Sequence, residues 1–403
     1  MNVLDKFLKY ISYDTQSDDN STTYPSTENQ LIFGQILVEE CKKIGLNDVY
    51  RDNYGYVFAT LPSNINYEVP TIGFLAHMDT SSECSGKNVK AMVIENYDGK
   101  TIERNKLPLS SEEFPDLKEY IGDTIICSDG TTLLGADDKA GIAEILTAME
   151  YLISNPDIPH GTIKIAFTPD EEVGRGVDYF DVKKFGADFA YTFDGGAIGE
   201  LECENFNAAG AKIKITGKSV HPGYSKGLMI NAGLIATEFA SMLPEKETPS
   251  HTSNYEGFYH LNSIKGTTSE AELRYIIRDF LKTGLDERKS KIQEVAKNIN
   301  EKYNNICSIE ITDEYENMKE IIDNNPQVFL LAKKAMDELL IKSKLTPIRG
   351  GTDGARLSYM GLPCPNIFAG GHNFHGPYEF IPLSSMEKAV ELIVKIVELN
   401  TKK

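Results

Sequence analysis

Four short apolar runs each end in residues that can hold a cation or move a proton. Phe74-Leu75-Ala76 leads into His77-Met78-Asp79, and Ile163 to Thr168 leads into Pro169-Asp170-Glu171-Glu172. Phe189 to Phe193 leads into Asp194-Gly195-Gly196, and Asn366 to Ala369 into Gly370-Gly371-His372-Asn373-Phe374-His375. A fifth segment, Gly135-Ala136-Asp137-Asp138-Lys139, opens a helical stripe. Imidazoles and carboxylates gathered this densely repel or desolvate one another unless a cation neutralises them. Histidine with Asp and Glu, and without cysteine, suits zinc, cobalt or manganese in a hydrolytic site. One catalytic zinc normally takes three protein ligands, so this larger set fits two ions that share a carboxylate. Such ions lie about 3.5–4 Å apart and activate a bridging water toward a polarised carbonyl. Each residue alone has a plainer reading, His77 as a core histidine and the acids as helix caps. Their recurrence at every strand end argues for a site.

For these pieces to meet, the apolar runs must lie side by side as buried strands. The stripe Ile142, Ile145, Leu146, Met149, Leu152 and Ile153 predicts a helix that Asn155 and Pro156 terminate. Val3, Leu4, Phe7, Leu8 and Ile11 predict an amphipathic N-terminal helix, and Ser384-Ser385-Met386-Glu387 reads as the capping box of a last helix through Val397. The polar stretch Ser12 to Thr27 is expected to be a loop. Strands alternating with helices imply an α/β fold, a mostly parallel mixed sheet flanked by helices, with ligands at the carboxyl ends of the strands. The middle of the chain differs. Half-polar strands at Ala211 to Thr216 and Glu270 to Phe280, with helical stripes at Ile230 to Met242 and Leu285 to Ile299, predict an inserted α+β layer with one solvated sheet face. We therefore expect a catalytic domain from residues 1–207 and 318–403 and an insertion at 208–317.

The 403 residues carry 41 Lys and Arg against 60 Asp and Glu, a net charge of −19. That sign argues against nucleic acid and against an anionic membrane surface as partners. No stretch reaches the roughly 18 apolar residues of a membrane span. The six cysteines are scattered without a CxxC pair and read as reduced thiols. The expected compartment is the cytoplasm, since the N-terminus reads as a helix rather than a signal peptide.

The blocks His77-Met78-Asp79, Gly135 to Gly141, Thr168 to Gly174, Tyr191 to Gly196 and His375-Gly376 resemble the signatures of the co-catalytic zinc exopeptidases related to carboxypeptidase G2. More narrowly, Ile158 to Gly161, Glu204 to Ala209, Gly257 to His260, Tyr275 to Phe280 and Pro347 to Gly354 resemble the tripeptide aminopeptidases of that family. The resemblance spans nearly the whole chain and implies two zinc ions per subunit, with cobalt or manganese as substitutes. It assigns His77 and Asp194 to one ion, Glu172 and His375 to the other, and Asp137, rather than Asp138, to both. It makes Glu171 the general base, and Asp79 fits as the group that holds the His77 imidazole. A base beside two cations needs a setting that raises its proton affinity. In isolation His221, before Pro222, reads as a turn residue. The resemblance instead places it over the active site of a partner subunit as an oxyanion donor, which implies a homodimer through the insertion, acting also as a lid. Arg349 beside two glycines would suit a bidentate carboxylate clamp, and the resemblance adds Asn231 and Arg278 as substrate contacts. His372 competes with His375 for the ligand role; the His-Gly pair favours His375.

The function implied is removal of the N-terminal residue from tripeptides, with a dipeptidase or N-acyl amino-acid deacylase on the same centre as the alternative. A binding or scaffolding protein that had lost its chemistry should lack a ligand or the base, and here all are present.

Overall fold

The computed structural model describes residues 2–105 and 107–402. The chain forms two units, Met1–Cys203 with Glu320–Thr346 and Thr352–Lys403, and Glu204–Lys319 with Pro347–Gly351. Pro347–Gly351, inside the range assigned on sequence to the larger domain, groups with the second unit.

The larger unit is built on an eight-stranded mixed sheet. Strand Ile72–His77 runs parallel to Ile163–Thr168 on one side and to Phe189–Gly195 on the other, and Asn366–Phe368 continues the parallel set. Val57–Leu61 and Asn47–Arg51 extend one edge in antiparallel fashion. Glu200–Glu202 lies antiparallel to Asn366–Phe368 on the other edge, and Lys344–Leu345 is parallel to it. The continuous apolar runs follow from cover on both faces. Phe74, Ala76, Ile165 and Phe167 enter one core while their neighbours Leu75 and Ala166 enter another, as alternate strand residues must. Each buried Phe or Leu contributes about 1.5–3 kcal/mol.

Helix Ala136–Ser154 packs against strand Ile72–His77, between helices Val3–Tyr10 and Leu383–Leu399. Its Ile142, Ile145, Leu146, Met149 and Leu152 are fully buried. Gly141 permits the close approach, since a Cβ there would meet the Phe193 carbonyl oxygen at 2.2 Å. A small antiparallel sheet of Ala91–Ile94, Ile125–Ser128 and Phe380–Pro382 completes this unit. The last helix begins at Leu383 without the expected capping box. Pro382 is its N-cap, and the Ser384 hydroxyl donates instead to Asp123.

The second unit is an antiparallel sheet ordered Phe258–Gly266, Glu270–Asp279, Asn207–Thr216, Cys307–Tyr315. Helices Ala232–Ser241 and Lys282–Tyr303 cover one face, and Ile213, Ile215, Leu273, Ile277, Phe239, Ile292 and Val295 form its core. Lys212 and Lys214 alternate with that core set, as expected for a sheet solvated on its other face.

Candidate metal centre

Two groups of three ligand atoms form at the carboxyl ends of the central strands: His77, Asp137 and Asp194, and Asp137, Glu172 and His375. Within each group the atoms lie within 4.8 Å of one another. The His77 Nε2 is 2.8 Å from Asp137 Oδ1 and 3.4 Å from Asp194 Oδ1. The His375 Nε2 is 3.3 Å from Asp137 Oδ2 and 3.0 Å from Glu172 Oε2. Asp137 therefore presents one oxygen to each group.

His77 and Asp194 close parallel strands, and Glu172 sits in the short turn Glu171–Val173 that follows Ile163–Thr168. His77 pairs with Thr168 across the ladder, so that turn emerges next to the imidazole. Asp138 turns away from both groups. It is fully buried, and its carboxylate accepts from the His77 backbone N–H (3.0 Å) and the Gly141 N–H (3.3 Å). The choice between the neighbouring aspartates is thus visible in the hydrogen bonds.

The electrostatics are those of a set built around positive charge. Burial disfavours a charge on His77, yet Asp194 and Asp137 outweigh it and raise the imidazole well above its ordinary range. Hydrogen bonds to Asp137 and Glu172 raise His375 to about 11. Burial pushes Asp137 up, but its bonds to His375 and His77 hold it below the usual carboxylate range. Burial and the nearby Asp137 push Glu172 up to about 8. The Glu172 Oε1 is buried with no hydrogen-bond partner among the described residues. An orphaned carboxylate oxygen beside two oxygen-and-nitrogen donor sets fits a divalent cation in each group.

Asp79 does more than orient the imidazole. The His77 Nδ1–H donates to the Asp79 backbone carbonyl at 3.1 Å, with the Asp79 Oδ1 at 3.4 Å. The Asp79 carboxylate accepts from the Glu171 N–H (3.0 Å) and the Glu172 N–H (3.1 Å), which fixes the turn that carries both glutamates. Glu171 has the setting a base requires: burial, then Asp194, push its carboxyl well above the usual range. Glu379 was not identified from sequence. Its one signal there is a charged residue wedged between Tyr378 and Phe380.

His372 is not a ligand: it stacks on Phe380 with ring centroids 4.6 Å apart and meets the Tyr120 hydroxyl at 3.0 Å. His160 is a buried histidine bound to the Gly161 carbonyl oxygen, while His260 lies exposed on strand Phe258–Gly266.

The remaining expected residues belong to the second unit. The Arg349 guanidinium is engaged within its own unit. Its Nη1 donates to the Asn254 and Glu256 carbonyls and its Nη2 to the Thr252 hydroxyl and carbonyl, while the guanidinium lies over Phe206 and Phe258. Four of its five donors thus face oxygens of the loop from Thr252 to Glu256. Arg278 donates through Nη1 to the Arg349 carbonyl, and its Nε is buried without a partner among the described residues. Asn231 caps helix Ala232–Ser241 by accepting from the Leu234 N–H. His221 is exposed, and its Nδ1 accepts from the Gly223 N–H at 3.1 Å, which assigns its proton to Nε2.

The model of peptidase family M20/M25/M40 matches residues 134–399. The chain is 58% identical over 405 residues to peptidase T of Caldanaerobacter subterraneus subsp. tengcongensis, covering all of this chain and 99% of that one. A crystal structure of a tripeptidase from Staphylococcus aureus has a TM-score of 0.79 at 24% identity, covering 100% and 98% of the two chains. The Bacillus subtilis YXEP protein, a dinuclear metal binding peptidase from the M20 family, has a TM-score of 0.67 at 14% identity over 98% and 97%. At such identities the two structures speak for the fold alone.

Proposed function

The chain belongs to peptidase family M20/M25/M40 and to its peptidase T branch, and on that premise we propose that it is a two-cation aminopeptidase that removes the N-terminal residue from tripeptides. It is a hydrolase acting on peptides. The observation that carries the reading is the pair of three-donor groups joined through Asp137, with Glu171 next to the ligand Glu172.

His77 and Asp194 would hold one divalent cation, Glu172 and His375 the other, and Asp137 both; zinc is the proposed metal. Cations so held would polarise a peptide carbonyl and acidify a water. Glu171 takes that water's proton on its carboxylate and returns it to the departing amine; its raised proton affinity suits both transfers. Asp79 holds the main chain of Glu171 and Glu172 in place for this. The Nε2–H of His221 suits an oxyanion donor. We propose that it serves the neighbouring copy of a homodimer, with the second unit as lid and contact surface. Arg278 retains donors for a substrate carboxylate, and Asn231 is a further substrate contact in this proposal.

Among the described residues no helix is long and apolar enough to cross a membrane. Cys41, Cys84, Cys127, Cys307 and Cys364 are thiols, which supports the proposed cytoplasmic location.

The test is release of the N-terminal residue from a matched dipeptide, tripeptide, tetrapeptide and N-acetylated tripeptide, before and after chelation and zinc return. Cleavage confined to the free tripeptide, lost on chelation and restored by zinc, is expected. Preference for the dipeptide or the acetylated substrate would move the assignment to a dipeptidase or deacylase.

A further inference from the structure

Helix Ala136–Ser154 starts without a side-chain cap of its own: its N-cap, Gly135, is left-handed at φ 86°. The backbone N–H groups at its start are instead taken by one carboxylate from far along the chain. Glu379 Oε2 accepts from Leu134 (2.7 Å) and Gly135 (2.9 Å), and its Oε1 accepts from Ala136 (2.6 Å) and Asp137 (3.1 Å). The side chain is 1% exposed, so these bonds form out of water, where charge-assisted bonds are strongest. The last of the four amides belongs to the residue that faces both donor groups.

Glu379 also closes the loop that carries His375. His372 and Phe380 exchange backbone hydrogen bonds at 2.9 and 3.1 Å, the Glu379 N–H reaches the Gly376 carbonyl, and Arg104 donates to the Pro377 carbonyl at 2.7 Å. Within this braced loop His375 faces Asp137 Oδ2 while Glu379 grips the Asp137 main chain. One loop therefore sets where the second group's imidazole stands relative to the shared carboxylate.

We propose that Glu379 is a positioning residue for the metal centre, holding Asp137 and His375 at the separation that two cations require. This rests on the two-cation reading of the site. A plain helix cap would serve the fold but would leave metal affinity and coordination unchanged once the variant had folded. A positioning role predicts that the loss is felt at the cations, as with other groups that orient ligands, where substitution weakens metal binding by about 10- to 100-fold.

The experiment compares the full-length parent, Glu379→Gln and, as a buried carboxylate away from the centre, Glu144→Gln. Glu379→Gln keeps the shape but turns an N–H donor toward the four amides. Zinc is titrated into chelated protein against a competing chelator, and the absorption spectrum of the cobalt-loaded form is recorded. We expect zinc affinity of Glu379→Gln to fall about 10- to 100-fold with an altered cobalt spectrum, and Glu144→Gln to match the parent on both. Parent-like affinity and an unchanged spectrum in Glu379→Gln overturn the proposal and leave the two-cation reading intact. A parent that takes up no zinc overturns both. Should Glu379→Gln not fold, hydrogen exchange on the chelated parent decides. Slow exchange at residues 134–137 without metal is expected of a preset site, and exchange at the rate of open chain overturns it.

Discussion

The crevice at the strand ends and the open sheet of the second unit carry charge in opposite ways. In the crevice, Asp79 is fully buried and His77 nearly so, Asp137 and Asp194 are each 13% exposed, and proton affinities move in both directions. On the sheet, Lys212 meets Glu272 at 3.4 Å and Arg274 meets the same carboxylate at 2.9 Å, with these side chains 31–57% exposed. Water screens the second set, so its pairing contributes little; the first set is held only because backbone amides and cations can answer each carboxylate. Buried charge therefore marks chemistry when many groups share it. A lone buried carboxyl marks cost, and helix Ala136–Ser154 contains both cases. Seven residues beyond Asp137, Glu144 is fully buried with both carboxylate oxygens unpartnered among the described residues.

The contrast can be broken or sharpened by substitution. The largest effect is expected at Glu171→Gln, with kcat reduced by roughly 10²- to 10⁴-fold while zinc content is unchanged. Steady-state kinetics alongside metal analysis would decide, and activity within tenfold of the parent would remove Glu171 as the base. Arg349→Lys should act on the fold of the second unit. Replacing a planar fork bound to three residues of one loop by a single ammonium should lower unfolding free energy by about 1–3 kcal/mol. A rise in KM without loss of stability would assign Arg349 to substrate binding instead.

Glu144→Met keeps the volume and removes the unmet oxygens, so denaturant unfolding should show a gain of about 1–3 kcal/mol near neutral pH. The pH dependence has a definite sign. Burial raises the folded pKa well above 4.5, so below that value both states hold the proton. Above it, the unfolded carboxyl ionises while the folded one does not, and stability falls as pH rises. The advantage of Glu144→Met should therefore grow with pH, by at most about 1.4 kcal/mol per unit. An advantage that shrank with pH would mean that Glu144 is ionised in the fold. The smallest effect belongs to Lys212→Ala, under about 1 kcal/mol by the same unfolding measurement; a larger loss would show that the sheet pairs are not screened.

What could be read in the sequence follows the same division. The runs ending at His77, Thr168, Phe193 and Ala369 are apolar for two faces at once and lead directly into the candidate ligands, so the central sheet and the two donor groups were legible. Strands Val57–Leu61 and Ile125–Ser128 were not, because nothing chemical follows them and four or five apolar residues are common to many structures. Spacing could not separate Asp137 from Asp138, since only the hydrogen bond to the His77 N–H tells them apart. For Arg349 the sequence displays donors without showing which carbonyls they meet. The capping box at Ser384 lost to Asp123, a partner remote in the chain.

The larger unit is assembled from segments on both sides of the second one, and its two donor groups draw on residues from His77 to His375. During synthesis the chain emerges N-terminus first. His77, Asp137, Glu172 and Asp194 thus emerge before the second unit is made, and His375 only after it. Neither His375 nor the Glu379 loop is made until the second unit has been completed. The second donor group is therefore incomplete in any chain that stops short of residue 375.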